Sequence, residues 1–298
     1  MNEKSRTPSW ILVLGMHRSG TSAITRGLLC LGVGLGDKLM APAPEVNAKG
    51  FWEDMDIFRL DDEMLHALGT GWNEATPLTS AQFEFLRNNG FLERGRELLQ
   101  QKSLQAPVFG FKDPRLCRLL AFWQEALAEH QEEVAYILAL RNPMSIADSL
   151  QSRDGMDRTQ SYLMWLTHTI NAVALTENCQ RVLVDFDLVL QNPYKQLERV
   201  ATALSLTIDG DAASKYAQEF LENDLRHSQY RLSDLAADSD CPAMVVTVYR
   251  TLRKVATDGY DWDTPTFAKQ LRRWQKQMEE LRPLMACIDR LHSQVHPS

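Results

Sequence analysis

The feature that most constrains this chain lies near its start, where the apolar run W-I-L-V-L (Trp10 to Leu14) leads into G-M-H-R-S-G-T-S (Gly15 to Ser22). Continuous apolarity without alternation marks a strand covered on both faces, as in a parallel sheet. From Thr21 to Leu31, Ile24, Leu28 and Leu31 recur at helical spacing. Strand, tight glycine loop and helix together open a nucleotide-binding α/β unit.

The pattern repeats downstream. Val134 to Leu140 reads as a strand ending at Arg141-Asn142-Pro143, with Asn142 as N-cap and Pro143 at the first helical position. Arg181 to Phe186 reads as another strand, followed by Asn192-Pro193 and a helix to about Leu204. Pro107 to Phe111 reads as a fourth, with a helix from about Leu116 to Glu129. Strands alternating with helices imply a three-layer α/β fold of the phosphate-loop type, a parallel sheet flanked by helices with right-handed crossovers.

The remaining segments are less regular. Gly36 to Trp72 is rich in Pro and Gly and reads as loop and short helix. Asp209 to Ala243 is polar and acidic, an irregular insertion. Phe267, Leu271, Trp274, Met278, Leu281, Met285 and Ile288 step by four and three, the seam of a helix that packs on its own domain or pairs in a homodimer. Pro283 is expected to kink or divide that helix. The expectation is one domain over 1–298, with a core at about 8–205 and a helical, partly irregular C-terminal part at 206–298.

Charge and cysteine content narrow the function. Net charge is −7, with 32 Lys plus Arg against 39 Asp plus Glu, which argues against a nucleic-acid or anionic-membrane partner but leaves room for a small anionic ligand. Cys30, Cys117, Cys179, Cys241 and Cys287 are far apart and form no C-x-x-C pair. The first ten residues carry no signal-like apolar core, and no run approaches the roughly 20 residues of a membrane span. A reduced, cytoplasmic protein is the expectation.

The loop has the G-x-x-x-x-G skeleton whose backbone amides cradle anionic oxygens, with Gly20 allowing close approach and Thr21 and Ser22 adding hydroxyls. Thr21 stands where nucleoside triphosphatases place the lysine that bridges the outer phosphates, and Arg18 supplies a cation instead. A ligand without those outer phosphates follows, one with no triphosphate for magnesium to clamp.

These residues resemble the sulfotransferases that use 3′-phosphoadenosine 5′-phosphosulfate, and look closest to a bacterial branch with this same loop. In that family a basic residue followed by S-G-T-[ST], here Arg18, Ser19, Gly20, Thr21 and Ser22, holds the 5′-phosphosulfate. An arginine ending a strand and a serine eight residues later, here Arg141 and Ser149, hold the 3′-phosphate. Gly15 and His17 complete the donor-binding set that the resemblance implies. It covers roughly residues 10–205. The position of a tryptophan that stacks on adenine in some members is Ala23 here, and no basic C-terminal clamp is evident, although Arg253-Lys254 could substitute.

For the transfer step, Arg18 and Lys112 are the candidates to stabilise the bridging oxygen. Lys112 sits in G-F-K-D-P-R at a strand end, where open parallel sheets bind ligands; the alternative is a loop-fixing pair with Asp113. Glu53 in N-A-K-G-F-W-E-D is the preferred general base, with Phe51 and Trp52 as neighbours that would desolvate it. His17 and Asp113 are alternatives, although an adjacent anion would protonate His17 and make it a donor. Phe51, Trp52 and Trp72 are candidates to line an acceptor pocket, Trp72 reading more naturally as core. The acceptor would be a small-molecule, lipid or carbohydrate hydroxyl or amine. The competing readings are a phosphate-loop kinase, with Val182 to Asp185 as a magnesium-holding strand, and an inactive nucleotide-binding scaffold.

Overall fold

The computed structural model describes residues 7–43, 47, 49–221 and 230–295, with side chains at 131, 132, 293 and 295 excepted. Parts of the segments read above as loop and insertion, at 44–46, 48 and 222–229, therefore lie outside the described residues.

Four parallel strands form the sheet: β1 (Trp10–Leu14), β2 (Phe109–Lys112), β3 (Val134–Leu140) and β4 (Gln180–Asp185), in the order β2-β1-β3-β4. Register pairs Val13 with Lys112, Leu14 with Leu138, and Leu140 with Asp185. Alternate residues of β1 enter different cores. Trp10, Leu12 and Leu14 join a large cluster on one face, while Ile11 and Val13 join a smaller one on the other. This two-sided burial is why the strand reads as an unbroken apolar run.

Beyond β1, α1 (Thr21–Gly27) continues as a 3-10 turn over Leu28–Leu31, tighter than the single helix expected. The region expected to be loop and short helix holds a 13-residue helix, α2 (Met55–Ala67), capped by Asp54, whose Oδ1 accepts from the amides of Asp56 and Ile57. Its buried face, Ile57, Leu60, Met64 and Leu65, is helical in period, and the Pro- and Gly-rich sequence before it hid the pattern. Helices α3 (Ser80–Asn88) and α4 (Phe91–Ser103) lead to β2.

Helix α5 (Leu116–Ala126) and a 3-10 turn over Ala128–Glu133 precede β3, then α6 (Pro143–Asp154) and α7 (Arg158–Leu175) lead to β4. Asn142 caps α6 with Pro143 at the first position, as the sequence predicts. A short helix absent from the sequence reading, α8 (Phe186–Gln191), follows β4 directly, and α9 (Pro193–Leu204) comes after it. The described parts of the expected insertion contain α10 (Gly210–Lys215), a π-helical turn at Tyr216–Phe220 and α11 (Leu232–Ala237).

Last come α12 (Ala243–Ala256) and α13 (Pro265–Val295), which runs through Pro283 without division. Pro283 is exposed, and buried Met278 and Met285 hold the helix to the core on either side of it. The seam faces that same core: Phe267, Leu271, Trp274, Met278 and Met285 are buried in it, with Leu281 and Ile288 packed alongside. It is thus a packing face within the chain. Among the described residues, no helix is long and apolar enough to cross a membrane.

Candidate functional site

The chain reverses direction across the sheet between β1 and β3, because β1 leads to β2 on one side while β3 and β4 lie on the other. Ligands of open α/β sheets bind in the crevice that such a reversal leaves beyond the strand ends. Gly15 leaves β1 and Arg141 leaves β3 at this point, with Lys112 closing β2 alongside.

The loop between β1 and α1 is tightly wound. A Cβ on Gly15 would lie 2.7 Å from Ser19 Oγ and 2.9 Å from the Ala139 Cβ. Ser19 donates to the Met16 carbonyl from both its amide (3.2 Å) and its hydroxyl (2.6 Å), and the Gly15 amide donates to Cys117 Sγ. Arg18 has φ 68° and Gly20 φ 85°. A left-handed arginine is strained and persists only where its surroundings hold it. Here Arg141 Nη1 donates to the Arg18 carbonyl at 2.9 Å, and Arg18 Nε donates to Ser149 Oγ at 2.7 Å. The first helical bond runs from the Ile24 amide to the Gly20 carbonyl, so the amides of Thr21, Ser22 and Ala23 precede the ladder. Ser22 Oγ donates to the Phe51 carbonyl.

The structure thereby brings Arg18, Arg141 and Ser149 into one hydrogen-bonded group at the crevice. Arg141 is 5% exposed and lies over the Phe186 ring, 5.0 Å from its centroid. That platform belongs to α8, which the sequence reading missed. The signal was Asp185, whose Oδ1 caps α8 through the amides of Asp187 and Leu188. Burial, with Asp187 nearby, pushes the Asp185 carboxyl up to about 6. The residue that a kinase would direct at magnesium is therefore a helix cap here.

On the β2 side, Lys112 does not pair with Asp113. Its Nζ donates to Glu53 Oε1 at 2.5 Å and to the Phe51 carbonyl at 2.9 Å. Asp113 instead accepts from the Arg115 amide at 2.7 Å and from Arg115 Nη1. An aspartate two residues before an arginine closes its own turn, which leaves the lysine to reach across to the α2 approach. Glu53 is 5% exposed, and its close neighbour is this cation rather than the aromatic faces expected. Trp52 has turned away, with Arg26 5.3 Å above its ring and Phe220 at 6.1 Å. Asp61, fully buried and accepting from Trp123 Nε1 at 2.8 Å, completes the group. Burial first, then the charge of Asp113, holds its carboxyl well above the usual range; burial raises Asp113 as well.

Burial, reinforced by Arg115, His168, Arg153 and Lys112, holds the His17 imidazole well below the ordinary 6.5. Its Nε2 is shut from solvent without a hydrogen-bond partner. The ring lies against Trp72, centroids 4.5 Å apart, and the Arg153 guanidinium sits 5.3 Å from the centroid of the same Trp72 ring. Trp72 is half-buried and packs against the larger core cluster as well as against His17. His168 is buried, His66 and Lys254 are exposed, and Arg253 is half-buried. Among the described residues, no group of three or more His, Cys, Asp or Glu is arranged to hold a metal ion.

No family model matches the chain. No curated protein matches it either. Among solved structures, the chain is similar to the sulfotransferase domain from the Synechococcus PCC 7002 olefin synthase, at 16% identity over 88% of this chain and 98% of that one, with a TM-score of 0.43.

Proposed function

We propose that this chain is a sulfotransferase that moves the sulfuryl group of 3′-phosphoadenosine 5′-phosphosulfate to a hydroxyl or amine of a small-molecule, lipid or carbohydrate acceptor. The observation that carries the reading is the bonded group Arg141–Arg18–Ser149, which joins two anion-binding elements from neighbouring strands at the sheet's crevice. A nucleotide with anionic groups at both its 5′ and 3′ ends fits such a pair; a triphosphate needs the loop lysine that Thr21 replaces. The tight cradle at Gly15 and the partnerless Nε2 of His17 fit an anion seated against the loop.

In this reading Gly15, His17, Arg18, Ser19, Gly20, Thr21 and Ser22 surround the 5′-phosphosulfate, and Arg141 and Ser149 take the 3′-phosphate. The donor supplies an activated sulfuryl group. The chain orients it, removes the acceptor proton and neutralises charge on the leaving oxygen. Glu53 is the base, its Oε1 held by Lys112. Lys112 and Arg18 take the role of stabilising the leaving oxygen, and Asp113 acts through Arg115. An arriving anion offsets the surrounding cations and restores the affinity of His17 for a proton, which makes it a donor once the site fills.

The test is incubation with ³⁵S-labelled donor and cell extract, followed by mass detection of a sulfated product. Transfer without added magnesium supports the reading; failure to transfer while the bisphosphate product binds would mark an inactive nucleotide-binding chain.

A further inference from the structure

The backbone from Phe51 to Asp54 is gripped by a lysine at each end. From β2, Lys112 Nζ donates to the Phe51 carbonyl at 2.9 Å and to Glu53 Oε1 at 2.5 Å. From α4, Lys102 Nζ donates to Asp54 Oδ2 at 2.6 Å, and both partners are buried. Ser22 Oγ, from the phosphate loop, shares the Phe51 carbonyl at 3.1 Å. One ammonium thus meets groups on both sides of Trp52, and the chain between them turns through Trp52 at φ 58°. A bulky L-residue in the left-handed region is strained and persists only where its surroundings hold it.

The Trp52 ring is what the surroundings hold. Its Nε1 donates to the Lys49 carbonyl at 3.0 Å. The Arg26 guanidinium lies 5.3 Å from the Trp52 centroid and 5.6 Å from that of Phe220, and the two rings meet edge-on at 6.1 Å. Phe220 ends the π-helical turn Tyr216–Phe220 and stacks on Tyr216, centroids 5.8 Å apart. The Tyr216 hydroxyl in turn donates to the Ala23 carbonyl of α1 at 2.9 Å. Turns of this π form are rare and frequently serve functional sites. Here the contacts run from α1 through Tyr216, Phe220 and Arg26 to the strained residue beside Glu53.

We propose that Trp52 is the positioning residue for Glu53. Its ring, held by Arg26, Phe220 and the Lys49 carbonyl, keeps the left-handed turn that carries the Glu53 carboxylate to Lys112. Trp52 acts through Glu53 alone. The catalytic meaning of this inference rests on the sulfotransferase reading with Glu53 as base; the coupling of Trp52 to the Glu53–Lys112 pair does not.

The test is two double-mutant cycles on the full-length chain. The first reads the rate of ³⁵S transfer from saturating donor to cell extract. Left-handed backbone disfavours an L-residue by about tenfold, so Trp52→Ala, which loses the ring and keeps that penalty, should transfer about tenfold more slowly. Trp52→Gly carries no such penalty and should lose only about two- to threefold. Trp52→Phe, which keeps an aromatic face for Arg26 and Phe220, should retain about half the rate or more. Calorimetric affinity for adenosine 3′,5′-bisphosphate should be unchanged throughout. In a Glu53→Gln background Trp52→Ala should cost nothing further, because the group it positions is already gone. An equal cost in both backgrounds would make Trp52 merely structural and overturn the role, and Trp52→Ala no slower than Trp52→Gly would overturn the part of the left-handed turn.

The second cycle is urea unfolding and needs no turnover. Trp52→Ala and Glu53→Gln together should raise the unfolding constant by about threefold less, or lower still, than the product of their separate effects. A strict product overturns the coupling. If Trp52→Ala does not fold, Phe220→Ala replaces it in both cycles with the same outcomes. If wild type transfers no label, the functional reading fails and the unfolding cycle decides the coupling, as it does where Glu53→Gln leaves no measurable rate.

Discussion

Replacing Gly20 with alanine tests the junction between the two halves of the site. Gly20 has φ 85°, and an added Cβ would lie 2.2 Å from Phe186 Cδ2 and 2.4 Å from Cγ, with nothing between them to yield. The left-handed conformation costs an L-residue roughly 1–2 kcal/mol. Overpacking a buried ring typically adds about 1–3 kcal/mol. Phe186 is 4% exposed and begins α8, so it has little room to retreat. The expected loss is therefore roughly 2–5 kcal/mol, a large share of the roughly 5–15 kcal/mol that holds a domain folded. Because Arg141 rests on that ring, affinity for adenosine 3′,5′-bisphosphate should fall too.

Urea unfolding of Gly20→Ala, Phe186→Ala and the double variant separates the two costs. Removing the ring abolishes the clash, so the double variant should be less destabilised than the sum of the singles by about 1–3 kcal/mol, the overpacking part alone. Strict additivity would refute the claim that the ring is what Gly20 accommodates. An unaffected Gly20→Ala would refute the strained-turn account as well.

Three further outcomes are expected. Arg141→Ala should weaken bisphosphate binding by about 1.5–3 kcal/mol by calorimetry, the range for a hydrogen bond to a charged group, with Ser149→Ala weakening it less. Glu53→Gln should leave donor affinity intact and lower turnover; equal turnover would remove Glu53 from the base role. Burial lowers the His168 imidazole to about 4, its Nδ1 donating to the Met164 carbonyl. The folded chain then binds fewer protons than the unfolded chain between about pH 4 and 6.5, so His168 contributes stability above that window that is lost as pH falls through it. His168→Gln should flatten that part of the stability–pH curve, and a curve that keeps its slope would place the titration elsewhere.

Much of this was legible in the sequence because the signals were local. β3 spans the residues its apolar run predicts, and the Asn142-Pro143 start of α6 follows from backbone chemistry alone. Gly15 to Ser22 could be named from its glycine skeleton between strand and helix, whereas Arg141 and Ser149 are named through the family resemblance. What stayed hidden depends on contacts across the chain. That Lys112 would choose Glu53 over adjacent Asp113 was decided by the Asp113–Arg115 turn. Trp72 lies against His17 in a loop whose backbone is held by Asp289 and Arg118, which no local pattern announces. The α8 platform under Arg141 follows a cap, Asp185, that also resembled a metal-binding aspartate.

The most direct measurement is titration of the chain with adenosine 3′,5′-bisphosphate in the presence of a chelator, beside ATP with magnesium. Tight binding of the bisphosphate, at least tenfold weaker binding of ATP, and loss of the difference in Arg141→Ala are the results predicted. Preference for magnesium ATP, or a bisphosphate affinity indifferent to Arg141, would contradict the assignment of the two cradles to one nucleotide.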